Sequence, residues 1–323
     1  MERLPSEVAA ELTSELTAEL TVEPDAKTAN VLVLTTSGII SSTVLDLCIE
    51  GLQSIGSTII GTMVLGKNAY EIAFSGDLSL SLIKARDVLQ GQEIDANALP
   101  LIGRKKNLLI ADMDATIITS ECIDELANIH GVSEKITSIT EQAMQGAIGF
   151  EASLHKRLKL LEGLPSTAIE EAYNNSIQLT AGASTLVQTM RQGGAITILA
   201  SGGFTCFAEP VAQVVGFQHY RANQLELKNG KLTVKVMPPI LGRESKAAIL
   251  REFIHHCELS PKSTIAVGDG ANDIAMIKAA DMGVAFRAKP ALKAETTLHI
   301  NHSDLTALLY LQGYKEEDFV TMA

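Results

Sequence analysis

Residues 107–116 read NLLIADMDAT, a short apolar run followed by two carboxylates one residue apart. A continuous apolar run of this length is typical of a strand that is buried on both faces of a parallel sheet. Two later runs have the same form: ITILA at 196–200 leads into SGGFT, and TIAV at 264–267 leads into GDGAND. Helical patterns separate the runs, which predicts an α/β fold with a parallel sheet. Ligands bind where loops leave the carboxyl ends of such strands, so we expect the three loops to share one crevice.

Asp112 and Asp114 carry the first chemical signal in these loops. Two carboxylates this close repel each other unless a cation or a shared proton lies nearby. A hard cation such as Mg²⁺ satisfies that requirement with oxygen ligands. Taken alone, the pair is also explained by a turn or a helix cap, so both interpretations stay open at this point.

The other two loops add groups suited to phosphate and metal. The hydroxyl of Ser201 and the amide of Gly202 are donors that can reach phosphate oxygens. In the third loop, Asp269 can reach a metal from the strand end. Asn272 and Asp273 stand at the start of the next helix, near its positive end, where a capping role is the alternative.

Lys246, after Gly-Arg-Glu-Ser, supplies a positive charge between the second and third loops. The order Asp-x-Asp-x-Thr, Ser-Gly-Gly, Lys, Gly-Asp-Gly-x-Asn-Asp resembles the haloacid dehalogenase superfamily. Five blocks are similar to its phosphoserine phosphatases: DMDATIITSECIDELA, AMQGAIGFEASLHKRLKLLEGL, SGGFT, ILGRESK and VGDGANDIAMI. The resemblance runs from about Lys105 to the carboxyl end. It implies a Rossmann-like core with a parallel sheet and a helical cap inserted after the first strand.

The resemblance also implies a role for each matching residue of the core. Asp112 is expected to be the nucleophile, and Asp114 the acid for the leaving serine oxygen and then the base for water. Mg²⁺ is expected to be held by Asp112, by the backbone carbonyl of Asp114 and by Asp269. The groups expected to bind the phosphoryl oxygens are Ser201, the Gly202 amide, Lys246 and Asn272. Asp273 is expected to orient Lys246 or the metal shell.

The inserted cap, at about residues 121–179, is expected to select the substrate. By resemblance, Glu121 pairs with the ammonium group of phosphoserine, Arg157 pairs with its carboxylate, and Phe150 closes over the site. Each residue also has an ordinary structural explanation. Phe150 could be a core aromatic, Arg157 a solvated cation and Glu121 an acid favoured at a helix amino terminus.

The chain departs from the family pattern at two places. Ala115 stands where the family commonly has Ser, which removes one hydroxyl near the nucleophile, and we expect a modest effect on rate. Residues 146–149 read GAIG where an acid-containing stretch is common, which bears on closure of the cap rather than on the chemistry.

The amino-terminal third divides into a tail and a small domain. Residues 1–29 form an acidic segment with Leu and Glu at four-residue spacing, which is either a docking helix or a disordered tail. Residues 30–103 are predicted to form a small α+β domain, similar to the amino-acid-binding regulatory domains called ACT domains. A stretch rich in Gln, Asp and Asn at 90–98, followed by Pro100 and the basic residues 104–106, is expected to mark a boundary. Residues 104–323 are assigned to the phosphatase core and cap.

Composition limits the range of partners. The formal net charge of −12 argues against a nucleic-acid surface. No signal peptide or long apolar span is found in the sequence, so we expect a cytoplasmic protein with reduced cysteines and no membrane partner. A homodimer is left open. The alternatives to a phosphoserine phosphatase are a phosphatase of the same superfamily for another small metabolite, and a serine-sensing protein of weak catalytic activity.

Overall fold

The computed structural model describes residues 29–144 and 147–321. The predicted acidic tail lies almost wholly outside the described residues, as does Gly146 of the GAIG stretch. The chain packs as two compact units. The first contains the described residues up to Lys105 together with Ala307–Phe319, and the second contains Lys106–Thr306 together with the residues from Val320.

The first unit is a four-stranded antiparallel sheet with two helices, as expected for a small α+β domain. Its elements are β1 Asn30–Thr35, α1 Ser42–Ser54, β2 Thr58–Gly66, β3 Ala69–Ser75, α2 Leu78–Val88 and β4 Asp95–Pro100. The strand order is β2-β3-β1-β4. Alternate residues of β1, such as Leu32 and Leu34, join the core that also contains Leu45 and Cys48 of α1. The period of two along β1 therefore separates a helix-covered face from the opposite face.

Strand β4 overlaps the polar stretch at 90–98, where the sequence predicted a boundary but no strand. Asp95–Pro100 pairs antiparallel with β1, with Asn97 opposite Val33. The local sequence DANALP has low strand propensity, which is why the pattern did not reveal a strand. Pairing with β1 overrides that propensity, and both Asp95 and Asn97 are buried.

The carboxyl-terminal segment Ala307–Phe319 packs with the first unit, although the sequence alone assigned everything after residue 104 to the second domain. Its helix α12, Ala307–Leu311, contacts β1. Tyr310 is 2 % exposed, and its hydroxyl donates to Asn68 Oδ1 at 3.2 Å. The sequence-based domain boundaries stay predictions.

The second unit is built on the predicted parallel sheet. Its strands are β5 Leu108–Ala111, β6 Ile196–Phe204, β7 His219–Lys228, β8 Lys231–Met237, β9 Thr264–Gly268, β10 Met282–Phe286 and β11 Leu298–Ile300. Their order is β11-β10-β9-β5-β6-β7-β8. All neighbours are parallel except β7 and β8, which pair antiparallel as a hairpin. The strand that leads to Asp112, β5, lies between β6 and β9, so the three motif loops leave adjacent strands.

In the described residues, the first four α-helices after β5 form the cap that the sequence predicted. They are α3 Cys122–His130, α4 Ser133–Met144, α5 Phe150–Leu160 and α6 Thr167–Ser176. The remaining helices of the unit are α7 Ala183–Gln192, α8 Thr205–Val215, α9 Arg243–His256, α10 Ile274–Ala279 and α11 Pro290–Lys293. Within the described ranges, no helix combines the length and the hydropathy that crossing a membrane requires.

Tyr310 tests whether the distant carboxyl-terminal segment stabilises the first unit. We expect Tyr310→Ala to lower the free energy of unfolding of that unit by about 3–5 kcal/mol, because a large buried ring is lost. Tyr310→Phe is the matched control and should cost only about 1 kcal/mol, the contribution of the bond to Asn68. Hydrogen exchange of the β1 amides measures both changes. Unchanged exchange in Tyr310→Ala would show that the segment contributes nothing to this sheet.

Candidate active site

Asp112 follows β5 directly and is held by the backbone of the neighbouring strand. Its N–H donates to the carbonyl of Val267 on β9 at 3.0 Å. The side chain is 3 % exposed, and Oδ1 accepts from the N–H of Met113 at 2.7 Å. The carboxylate is therefore fixed at the edge of the sheet before any ligand arrives.

Asp114 is oriented by a reversal of the backbone at Ala115. Ala115 has φ 51° and ψ 10°, in the left-handed region that non-glycine residues rarely occupy. Asp114 Oδ1 accepts from the N–H of Cys122 at 2.8 Å, and Oδ2 accepts from the hydroxyl of Ser201 at 3.1 Å. The second carboxylate of the motif thus joins the start of the cap to the carboxyl-terminal part of β6.

Lys246 lies on the first turns of α9 and is almost completely buried. Its Nζ lies 2.6 Å from Asp112 Oδ1 and 2.6 Å from Asp273 Oδ1. Burial alone lowers the pKa of this ammonium, but Asp112 and Asp273 together raise the pKa above its usual value. The group therefore stays positively charged between two carboxylates.

Asp273 connects Lys246 with the loop after β9. Its Oδ2 accepts from the N–H groups of Asp269 at 3.2 Å and Gly270 at 3.0 Å. Gly268 is required here because a Cβ on it would lie 2.5 Å from Asp273 Cγ. The close approach of backbone and carboxylate explains the Gly-Asp-Gly spacing of the motif.

Three buried carboxylates, those of Asp112, Asp269 and Asp273, form a cluster that fits a metal ion. One oxygen of each lies within 4.8 Å of the others. Burial, with Asp273 as the next cause, raises the pKa of Asp112 well above its usual value, and burial also raises the pKa of Asp269. An excess of buried negative charge beside one ammonium favours an added cation. Oxygen donors of this kind suit a hard divalent ion.

The last residues of β6, where the pairing with β7 is irregular between Ala200 and Phe204, bring donors to the same place. The hydroxyl of Ser201 accepts from the N–H of Gly203 at 2.8 Å, and a Cβ on Gly203 would lie 2.8 Å from Asp114 Oδ2. From the third loop, Asn272 Nδ2 donates to Asp112 Oδ2 at 3.3 Å. The structure therefore brings the core residues that the sequence singled out into one site.

Glu121 and Lys289 form a charged pair at the entrance of the cap. Lys289 Nζ lies 3.7 Å from Glu121 Oε1 and 3.2 Å from Asp269 Oδ2. Burial, with the charge of Asp114 as the next cause, raises the pKa of Glu121 to about 7. The carboxyl therefore changes charge close to neutral pH.

Phe150 and Arg157 lie on α5, two turns apart. A Cβ on Gly202 would lie 3.6 Å from the Phe150 ring, and a Cβ on Gly242 would lie 3.3 Å from it. Arg157 is half-buried, and its Nε donates to the carbonyl of its own helix neighbour Ser153 at 3.4 Å. Burial lowers the pKa of Arg157, and the negative charges of Glu121 and then Asp124 offset only part of that effect.

Sequence reasoning missed three contributors to this site. They are the amide of Cys122, the ammonium of Lys289 and the carboxamide of Asn223, which hydrogen-bonds to the carbonyl of Gly202. Cys122 acts through its backbone, which carries no side-chain signal. Lys289 and Asn223 lie in stretches without a motif, and only their contacts in the folded chain relate them to the site.

The region of the chain that contains Asp112 and Asp273 is similar to a known protein family. The family model of the haloacid dehalogenase-like hydrolases matches residues 109–278. The phosphoserine phosphatase of Archaeoglobus fulgidus is 38 % identical over 218 residues, covering 68 % of this chain and 63 % of that protein. The phosphoserine phosphatase of Idiomarina loihiensis is 42 % identical over 202 residues, covering 62 % of this chain and 91 % of that protein.

A solved structure extends the similarity over more of the chain. The unliganded probable phosphoserine phosphatase of Vibrio cholerae superimposes with a TM-score of 0.77 and 26 % identity, covering 94 % of this chain and 93 % of that one. The chain spans less than two thirds of the Archaeoglobus relative.

Ala115 tests whether the missing hydroxyl matters. Ser and Ala have a similar steric cost in the left-handed backbone conformation that residue 115 adopts. We therefore expect Ala115→Ser to change the turnover number by less than about tenfold, which corresponds to about 1.4 kcal/mol of activation free energy. Ala115→Gly, which relieves the backbone, is the control for strain and should change the free energy of unfolding by at most about 1 kcal/mol. The turnover number is measured for Ala115→Ser, and thermal unfolding is measured for Ala115→Gly. A gain of several orders of magnitude in Ala115→Ser would show that the site depends on that hydroxyl.

Proposed function

Because the chain belongs to the haloacid dehalogenase-like hydrolases, we propose that it hydrolyses O-phospho-L-serine to serine and inorganic phosphate. The observation that supports this most is the buried Asp112 carboxylate, which lies between Lys246 and Asn272 beside the Asp269 and Asp273 carboxylates. The relatives named phosphoserine phosphatase support the choice of substrate.

In the proposed first step, an oxygen of Asp112 attacks the phosphorus in line with the serine oxygen. The new bond joins Asp112 to phosphorus, and the bond between phosphorus and the serine oxygen breaks. Water then attacks the aspartyl phosphate, releasing inorganic phosphate and regenerating the carboxylate. Fixed hydrogen bonds from Met113 and Lys246 hold the nucleophile, so little reorganisation is needed.

Asp114 is the proposed proton carrier. It gives a proton to the departing serine oxygen and then takes one from the attacking water. Its bonds from the Cys122 N–H and the Ser201 hydroxyl hold the carboxyl group next to the nucleophile. A single carboxyl group thus serves both half-reactions.

The phosphoryl oxygens are proposed to bind the donors that surround Asp112. Ser201, the Gly202 amide, Lys246 and Asn272 present hydroxyl, backbone, ammonium and carboxamide groups of different geometry. Asp273 is proposed to keep Lys246 in place through the 2.6 Å contact. Donors fixed before the reaction stabilise charge that develops on the transferring group.

Mg²⁺ is the proposed metal, held by Asp112, Asp269 and the backbone carbonyl of Asp114. When bound, it would neutralise the charge of the phosphate oxygens and of the carboxylate cluster. Both carboxylate oxygens of Asp273 already have partners, since one accepts from two backbone N–H groups and the other contacts Lys246. Asp273 is therefore proposed to support the metal site rather than to bind the metal directly.

The cap is proposed to recognise the amino acid. Glu121 would pair with the ammonium group and Arg157 with the carboxylate, while the Phe150 ring, which lies against Gly202 and Gly242, would exclude water. The four free thiols support the cytoplasmic location expected from the sequence, and the homodimer stays a prediction.

Asp112→Asn tests the nucleophile. We expect a loss of turnover of about a thousandfold or more, because an amide oxygen cannot form the covalent intermediate. Asp304→Asn is the matched control, since Asp304 accepts from the N–H of Thr306 outside the site, and it should keep its activity. Phosphate release with and without Mg²⁺ measures both, and acid quenching should trap labelled phosphate on the wild-type chain only. Retained turnover in Asp112→Asn would refute the mechanism.

Glu121 gives the substrate preference a pH dependence. Since its pKa is raised to about 7, the carboxyl is uncharged below that pH and charged above it. We expect the KM for phosphoserine to rise as the pH falls through 7, beyond the change seen for p-nitrophenyl phosphate, which has no ammonium group. In Glu121→Gln the KM for phosphoserine should be about tenfold higher or more, because a hydrogen bond to a charged group contributes about 1.5–3 kcal/mol. This variant should also lose the extra pH dependence, because the Gln side chain does not titrate.

The comparison with p-nitrophenyl phosphate removes the titration of the phosphate group, which both substrates share. Identical pH profiles for the wild type and Glu121→Gln would mean that Glu121 does not bind the ammonium. Phosphothreonine and a phosphosugar complete the panel. A phosphosugar hydrolysed as well as phosphoserine would favour another metabolite as the substrate.

A further inference from the structure

Asn223 on β7 has no part in the proposed chemistry, yet it makes three hydrogen bonds to the backbone of two segments that form the proposed phosphate site. Its Nδ2 donates to the carbonyl of Gly202 at 2.9 Å and to the carbonyl of Leu241 at 3.2 Å. Its Oδ1 accepts from the N–H of Leu241 at 2.7 Å. The side chain is 1 % exposed. It therefore joins two backbone segments inside the protein.

The two joined segments carry different parts of the proposed phosphate site. Gly202 lies in the irregular carboxyl-terminal part of β6, and its amide is a proposed phosphate donor. Leu241 precedes Gly242, the residue from which α9 starts, and Lys246 lies one turn further along that helix. The Gly202 amide and the Lys246 ammonium are both proposed to bind the same phosphoryl group. The distance between the Gly202 backbone and the start of α9 therefore determines their relative positions.

The Phe150 ring lies against the same pair of segments. Its atoms lie 3.6 Å from a Cβ built on Gly202 and 3.3 Å from one built on Gly242. The carbonyl of Leu241 is 3.9 Å from the Cβ position of Gly202, which shows how closely the two segments approach. A change in their spacing would therefore also alter the surface that the cap contacts.

We propose that Asn223 is a positioning residue. It holds the Gly202 segment and the start of α9 at the spacing that is required to bind one phosphoryl group. This inference rests on the proposed phosphatase function. A carboxamide is suited to this task because it offers two N–H donors for two carbonyls and one acceptor for an N–H. The Asn223→Asp side chain has the same shape and keeps the acceptor oxygen. It replaces the N–H donors with an anionic oxygen, which would face the carbonyls of Gly202 and Leu241. Burial makes that loss costly, since no water replaces the missing donors.

The experiment compares Asn223→Asp and Asn223→Leu with a control on the same two strands. Gln218, beside the amino-terminal end of β7, accepts from the N–H of Thr197 on β6 at 2.9 Å. Gln218→Leu removes a side-chain link between the same two strands, at an exposed position at the end away from the site. For each variant, kcat and KM are measured with phosphoserine and p-nitrophenyl phosphate, together with the inhibition constant of inorganic phosphate and the temperature of unfolding.

We expect Asn223→Asp to lower kcat about 100-fold with both substrates, the effect of displacing catalytic groups by about 1 Å. The inhibition constant of phosphate should rise about tenfold, which equals about 1.4 kcal/mol of binding free energy. Gln218→Leu should change both quantities by less than about threefold. The inference is wrong if folded Asn223→Asp keeps its kcat within threefold of the wild type, or if its losses match those of Gln218→Leu.

Hydrogen exchange of the wild-type chain provides a second test that needs no variant to fold. The N–H of Leu241 donates to Asn223 and is not a proposed phosphate ligand. If Asn223 couples the segments, inorganic phosphate should slow exchange at Leu241 as well as at Gly202. Protection of Gly202 alone would overturn the inference. A wild-type chain that hydrolyses no phosphomonoester would instead refute the proposed function, which keeps the two failures distinct.

Discussion

The site depends on one buried arrangement of charge, the Lys246 ammonium between Asp112 and Asp273, with Nζ 2.6 Å from an oxygen of each. Removing three charged groups from water costs several kcal/mol per ion, and their attraction offsets that cost only with good geometry and further hydrogen bonds. The N–H groups of Met113, Asp269 and Gly270 supply those bonds. The loops after β5 and β9 and the first turns of α9 must therefore stand in fixed positions.

The parallel sheet meets that requirement with backbone pairing. Strand β5 lies between β6 and β9, so the motif residues at the carboxyl ends of these three strands lie side by side. The N–H of Asp112 continues the pairing by donating to Val267 on β9. The left-handed backbone at Ala115 then turns Asp114 toward Ser201 and the start of the cap. The chemistry thus lies where regular pairing stops and local backbone geometry takes over.

Most of the fold and the core of the site could be predicted from the sequence, because both depend on short-range patterns. Apolar runs such as 107–111 predicted the buried strands, and the carboxylates and glycines that follow them predicted the loops. Strand β4 was missed because DANALP has low strand propensity, and only pairing with β1 makes it a strand. The packing of Ala307–Phe319 with the first unit was missed because no local pattern indicates which sheet a distant helix covers.

The sequence by itself determined the α/β class, the order of the motifs and the residue types available for phosphate and metal, since these follow from periodicity and side-chain chemistry. Only the tertiary structure decided which groups meet. It brought Lys289 within 3.7 Å of Glu121 and 3.2 Å of Asp269, and it placed Asn223 across the gap between Gly202 and Leu241. The physical reason is that ion pairs and hydrogen bonds act over a few ångströms in space. Residues such as Glu121 and Lys289 are far apart along the chain, so only folding brings them within that range.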